Sequence, residues 1–177
     1  MTIETSRLLI RPMETSDYDD LRVIMEDQDV MRAYEGPFSD EEVQAWLQQQ
    51  QLRYRQDGFG LDAVILKKTG RLIGQCGLTI QRWNDREGIE VGYMFDKNYW
   101  HHGYATEAAR ACKDYAFIVL GAPEVYSIIR DTNTASHRVA ERNGMVVVDR
   151  FVKHYRGVDM PHLVFGAQSP AGQVEDF

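Results

Sequence analysis

Tyr93 to Glu107, YMFDKNYWHHGYATE, is the stretch whose residue types and spacing suggest chemistry. Before it, Ile89, Val91 and Tyr93 alternate with Glu90, Gly92 and Met94, which reads as a strand. The strand gives way to a loop, His101-His102-Gly103-Tyr104-Ala105-Thr106, and the loop opens a helix. The first N–H groups of a helix have no intrahelical partner, and the aligned peptide dipoles add positive potential there. Such a junction suits an anion, and a pyrophosphate in particular. Gly103 and Ala105 let phosphates come close to the backbone, and Thr106 adds a hydroxyl donor. On its own a G-x-A at a helix start is more often plain packing.

The surrounding elements must hold that junction in place. Leu8 to Ile10 is a first strand, ended by Arg11-Pro12. Asp17 to Glu26 carries Leu21, Ile24 and Met25 at helical spacing, with Ser16 as the expected N-cap. Ser39 and Glu42 have the spacing of a capping box for a second helix, bearing Val43, Trp46, Leu47 and Leu52 and running to Gln56. Three strands follow: Leu61 to Lys67, Leu72 to Ile80 and Glu87 to Phe95. The turns between them are Lys68-Thr69-Gly70 and Asn84-Asp85-Arg86. The helix from Gly103 to Leu120 has a small-residue stripe, Ala105, Ala108, Ala109, Cys112, Ala116 and Val119. A strand at 125–129, a helix at 134–143 closed by Gly144, and two strands around a turn at Tyr155 to Asp159 complete the order. This predicts a single-domain α/β (α+β) fold over residues 1–168, with a mixed, mostly antiparallel sheet flanked by helices and a polar tail at 169–177.

Composition excludes several classes. The chain has 177 residues and a formal charge of -7, which argues against a nucleic-acid surface. No apolar run reaches the ~18 residues of a membrane span. The first residues, MTIETSRLLIRP, lack the apolar core of a signal peptide, so the expected location is the cytoplasm. Cys76 and Cys112 are not in a C-x-x-C and are expected to be reduced, buried thiols. The five histidines lack the spacing of a zinc helix and have no thiolate neighbours, so no metal is expected. Cys112 lies on an apolar stripe, which favours packing over a nucleophile's role.

Several motifs together resemble the GNAT superfamily of acetyltransferases. WHHGYA, residues 100–105, is similar to its Q/R-x-x-G-x-G/A signature, with Trp100 at the Gln or Arg position and His101 at a usual Gly. YWHHGYATEA resembles the YWGKGYATEA wording of the branch that holds the ribosomal-protein alanine acetyltransferases. TSRLLIRP, the GxxIGQCGL segment at 70–78, EVGYMF at 90–95 and NTASHRVAERNGM at 133–145 resemble that branch as well, and the likeness runs from residue 5 to about 167. It implies acetyl-CoA as cosubstrate and an amine as acceptor. It implies that Met94 and Phe95 pair through their backbone with the pantetheine arm, that His101, His102, Gly103, Tyr104, Ala105 and Thr106 cradle the pyrophosphate, and that Asn133 bonds the pantetheine side. Ser136 looks like the family residue placed near the thioester sulfur. A homodimer is common among such enzymes.

Direct transfer requires that an ammonium lose its proton, that charge on the thioester oxygen be stabilised, and that the leaving thiolate be protonated. Glu90 is the candidate base, acting through a water; a solvent-facing strand charge explains it equally. Ser136 is the candidate acid, against a plain hydroxyl at a helix start. Tyr93 and Tyr155 are further candidate proton carriers, though packing accounts for each. The acceptor is expected between the two-helix segment at 16–56 and the last hairpin, with Tyr34, Trp46 and Trp83 either lining it or packing in the core. It can be a small molecule or a protein N-terminus. The alternative is a non-catalytic CoA-binding or regulatory module of the same fold. A longer acyl group is a third reading, limited by Met94 and Leu78.

Overall fold

The computed structural model describes residues 1–170. From residue 171 onward the expected polar tail lies outside the described residues. Eight strands form one sheet in the order β1-β2-β3-β4-β5-β6-β8-β7. They are β1 (Ile3–Glu4), β2 (Leu8–Arg11), β3 (Leu61–Leu66), β4 (Arg71–Trp83), β5 (Arg86–Phe95), β6 (Glu124–Arg130), β7 (Val146–Tyr155) and β8 (Val158–Gln168). Helices α1 (Tyr18–Met25) and α2 (Asp40–Gln56) lie between β2 and β3, α3 (Tyr104–Ile118) between β5 and β6, and α4 (Thr134–Arg142) between β6 and β7. Every neighbouring pair is antiparallel except β5 and β6.

Alternation along the strands builds two cores, one on each face. On one face Val64, Ile73, Cys76, Leu78, Val91 and Phe95 pack against Ala108, Ala109, Cys112 and Ala116 of α3. On the other, Leu61, Ala63, Leu72 and Met94 pack against Leu21, Ile24, Met25, Val43 and Leu47 of α1 and α2. The small residues of α3 bring that helix close to the sheet. Cys76 and Cys112 are free and buried, their sulfurs 3.6 Å apart. Gly77 allows β4 to cross close to the β3 start: a Cβ there would sit 2.1 Å from the Gly60 carbonyl oxygen.

Several local expectations shift. Ser16 lies inside a short 3-10 turn, Thr15–Asp17, whose capping box joins Glu14 and Asp17, so a carboxylate pair replaces the expected serine cap. A second 3-10 turn, Val30–Tyr34, was not legible from periodicity. Ser39 does cap α2, and its capping box with Glu42 is complete. Leu52 faces solvent, while Gln50 is fully buried and its Oε1 accepts the Leu61 N–H at 3.0 Å. Helix α3 ends at Ile118, leaving Val119 exposed off the expected stripe. The last turn is only Arg156-Gly157, both with positive φ.

Candidate active site

The strand pair β5–β6 makes the opening. Its parallel register holds at one point, Glu90 opposite Tyr126. Beyond it, side chains take up the backbone groups. The Ser127 hydroxyl donates to the Val91 carbonyl at 2.8 Å, and the Ile128 N–H donates to Glu90 Oε1 at 3.3 Å. The cleft therefore lies at the carboxyl ends of two parallel strands, where α/β sheets commonly bind ligands.

Strand pairing decides which backbone groups face it. The Asp96 N–H bonds the Ile73 carbonyl, and in the same register Met94 pairs with Gln75. In an antiparallel pair such residues exchange both bonds, so the Met94 backbone is turned to β4. The groups turned to the β6 side belong to Val91, Tyr93 and Phe95. This corrects the expectation that Met94 offers its backbone to the cleft. Its side chain faces α1 and α2, on the face opposite Leu78, and its sulfur accepts from Gln75 Nε2 at 3.5 Å. The Phe95 carbonyl accepts the Trp100 indole N–H at 2.8 Å, so Trp100 ties the loop back to the strand end.

At the cleft's mouth, α3 begins with Gly103 as N-cap at φ 79 and no side-chain cap. His101 is also left-handed, at φ 64. His101, His102 and Gly103 are exposed, and Tyr104, Ala105 and Thr106 half-buried. The N-terminal segment braces this turn. Glu107 Oε1 accepts from the Thr5 hydroxyl at 2.6 Å, the Ser6 hydroxyl at 3.2 Å and the Arg7 N–H at 3.0 Å, while Oε2 takes Arg7 Nε at 2.6 Å. Arg7 also donates to the His102 carbonyl at 2.9 Å and lies over the Tyr104 ring at 4.5 Å. Burial acts to raise the Glu107 pKa, but these hydrogen bonds prevail and hold it low. This clamp was missed in sequence because its halves are a hundred residues apart. The signal available was an acid four residues after Gly103 and a TSR triplet.

Helix α4 flanks the cleft. Asn133 caps it through Oδ1, which accepts the Ser136 N–H at 3.2 Å. Tyr93 donates its hydroxyl to the Ser136 carbonyl at 2.8 Å, which holds Ser136 beside the open part of β5. That bond commits the Tyr93 hydroxyl, and burial pushes its pKa up. Both Asn133 and Ser136 are half-buried.

Glu90 lies on the α1–α2 face, half-buried and walled by protein. Burial raises its pKa; hydrogen bonds from the Ile128 N–H and the Thr79 hydroxyl, the latter at 3.1 Å, oppose the shift. Tyr34 is near enough to feel its charge, and burial first, then Glu90, pushes the Tyr34 phenol up. Tyr34, Phe38 and Trp46 pack edge to face, with centroids 6.1, 6.4 and 5.9 Å apart. Trp46 donates its indole N–H to Gln75 Oε1 at 2.8 Å. Across from them, Arg156 lies over Phe38 and Tyr155 at 5.3 and 5.6 Å. Thus Tyr34, Trp46 and Tyr155 come together around Glu90. Trp83 does not: it is buried against Tyr126, and its indole N–H bonds Asp149 at 3.1 Å. Phe38 and Gln75 were missed, since nothing in their local pattern marks them.

Two surface hollows differ in their relation to this site, the first being lined by Gly103 and Thr106 of the α3 start itself. One, of about 530 Å³, adjoins the Arg7–Glu107 clamp and includes Arg110 and Arg142. The other, of about 420 Å³, lies between the end of α3 and β7 and includes Lys113, Phe117 and Val146. No helix among the described residues is long and apolar enough to cross a membrane.

Residues 7–146 match the family model described as an acetyltransferase (GNAT) domain. The chain is 37% identical to the protein YkkB of Bacillus subtilis (strain 168), over 93% of this chain and 94% of that one. It is 31% identical to the N-acetyltransferase YnaD of the same strain, over 82% of each. The structure of a GNAT-family acetyltransferase from Bacillus anthracis superposes with a TM-score of 0.80 at 26% identity, covering 96% and 99% of the two chains. At the level of fold the likeness extends further. The ribosomal-protein-S5-alanine acetyltransferase from Vibrio fischeri has a TM-score of 0.72 at 17% identity, covering 98% and 99%. The spermidine N-acetyltransferase from Vibrio cholerae, solved with CoA and spermine, has 0.74 at 18%, covering 93% and 97%. An uncapped helix start at the mouth of a parallel-strand cleft, carried by a matched sequence and a matched sheet, places the chain in the GNAT family as an acetyltransferase.

Proposed function

We propose that the protein transfers the acetyl group of acetyl-CoA to a primary amine, entering from the face that carries Glu90. The observation that carries this reading is the cleft itself. One face leads to an uncapped helix start suited to a pyrophosphate, and the other to a half-buried carboxylate beside aromatic rings. The opening between β5 and β6 fits an extended pantetheine arm. The Tyr93 backbone offers it hydrogen-bonding groups as a neighbouring strand would, which leaves the Phe95 N–H for the reacting carbonyl. The first-turn N–H groups of α3, with Thr106, hold the pyrophosphate. Asn133 and Ser136 border the arm from α4.

Each proton has a named carrier. Glu90, raised by burial, takes the ammonium proton directly or through a water, which frees the nitrogen lone pair. A strand N–H at Phe95 stabilises the charge that grows on the carbonyl oxygen. The Ser136 hydroxyl hydrogen-bonds the departing thiolate. Acetyl leaves sulfur for nitrogen in one displacement, with no acetylated side chain. Cys112, the nearest approach to a nucleophile in the sequence, is fully buried against Cys76.

The test is thiol release from acetyl-CoA with a panel of small amines and N-terminal peptides, with mass analysis of the acceptor. Acetylated amine in equal amount to released thiol is expected. Acetyl-CoA binding with no acetylated product from any acceptor would overturn the reading.

A further inference from the structure

The charges around the acceptor cleft are unevenly matched. On its rim Arg130 pairs with Glu35, and Arg156 pairs with Glu42. Both rim acids are therefore already neutralised. Arg53 and Lys153 act on the Glu90 carboxylate at the floor. Lys153 is exposed, and its ammonium sits 5.4 Å over the Tyr155 ring, with no carboxylate partner among the described residues. Arg53 and Lys153 thus have no ion-pair partner of their own among the described residues, while Glu35 and Glu42 are each paired; the exposed Asp131, next to Arg130, is a further acid near Lys153, since both act on His162. Between the charges the lining is aromatic.

A polyamine brings two or more ammonium groups and needs an acid for each. Of the acids beside the aromatic rings Glu90 is the one not paired to a rim cation among the described residues; Asp131 sits past the end of β6, and a second ammonium between them would meet Lys153 or Arg156. Like charges placed together at an interface are strongly unfavourable. A single ammonium on an apolar body needs Glu90 alone and no second acid. Its nitrogen reaches Glu90, and its body lies on Tyr34, Phe38 and Trp46, whose ring faces also attract a cation. We propose that the acceptor is an aromatic or apolar primary amine carrying one positive charge, and that this cleft selects against polyamines. The proposal rests on the acetyl-transfer reading above and narrows its acceptor.

The test compares 2-phenylethylamine with spermidine on the full chain. Thiol release gives kcat/KM for each, and calorimetry gives the affinity of each amine for the protein saturated with CoA. The expected kcat/KM favours phenylethylamine by about 10-fold or more. Lys153→Glu should narrow the ratio by about 10-fold through gain on spermidine, with KM for acetyl-CoA unchanged. Trp46→Phe, which keeps the ring cluster, should weaken phenylethylamine binding while leaving spermidine unaffected. A wild-type preference for spermidine would overturn the charge selection and leave acetyl transfer standing, as would a ratio unmoved by Lys153→Glu. Selective binding of phenylethylamine without thiol release would support the selection and count against the transfer. No binding of either amine would overturn the selection.

Discussion

Glu90 is costly to keep where it is, and that cost is the clue to its use. Burial raises its pKa, while two hydrogen bonds hold the carboxylate in one orientation. A base with a raised pKa deprotonates at a pH above the ordinary carboxylate range, so the acidic limb of the rate profile should lie above that of a free Glu. Glu90→Gln keeps the shape and the acceptor oxygen. It should lower kcat by about 100-fold or more and abolish that limb, with acetyl-CoA affinity unchanged by calorimetry. Ser136 makes a separate prediction. Its backbone, bonded to Asn133 and Tyr93, holds the cap whatever the side chain. Ser136→Ala should therefore fold normally by circular dichroism and lose kcat by about 10-fold, more with poor leaving groups than with activated thioesters.

At the start of α3, the turn proposed to face the phosphates is held by a carboxylate whose own charge would oppose an anion there. Arg7 answers that charge and reaches back to the His102 carbonyl. Glu107→Gln should loosen the brace, raising KM for acetyl-CoA several-fold while kcat stays within about 2-fold, since the reacting atoms lie elsewhere. Arg7→Lys, which cannot reproduce the fork, should give the same split. Strand β4 has a sharper requirement. Gly77→Ala would drive a Cβ into the Gly60 carbonyl, where the nearest atoms are all Gly60 and Leu61 backbone and no flexible group can yield. It should cost about 3 kcal/mol or more in urea unfolding, where Gly70→Ala, in an open turn, costs only the strain of its positive φ.

Stability of the assembled sheet should carry a pH signature from Asp62. This β3 carboxylate is fully buried, its oxygens lack hydrogen-bond donors among the described residues, and its pKa is pushed up to about 6 by burial. The Met1 amino nitrogen, 3.5 Å away, offsets part of that shift. With a folded pKa above the unfolded one, the folded state holds the proton more tightly. The contribution is most favourable below pH 4 and is lost as pH rises through about 6. Asp62→Asn should remove this fall, stabilising the protein at pH 7.5 relative to pH 4.5 by on the order of 2–3 kcal/mol when compared with wild type in thermal melts.

Local pattern carried much of this outcome. The two-residue turn at Asn84-Asp85 places Thr79 opposite Glu90, so one hydrogen bond of the candidate base follows from the β4–β5 register. The Ser39 cap, the α3 stripe and the turn at Gly144 are nearest-neighbour effects, written within a few residues. The anion-binding character proposed for residues 101–106 is local as well, since it depends on where a helix begins. Other features arise only when distant segments meet. The parting of β5 from β6 depends on Ser127, Ile128 and Glu90 substituting for a ladder, and no periodicity encodes a ladder that stops. Which of Met94 and Phe95 turns its backbone to the cleft depends on a pairing parity shared with Ile73. Trp46 and Trp83 look alike as sequence, yet one joins the Tyr34–Phe38 ring cluster and the other is sealed against Tyr126, because burial is set by the partner element. The Arg7–Glu107 clamp and the cations that act on Glu90 have the same origin: side-chain charge is local, but the potential at a point sums over everything the fold brings near it.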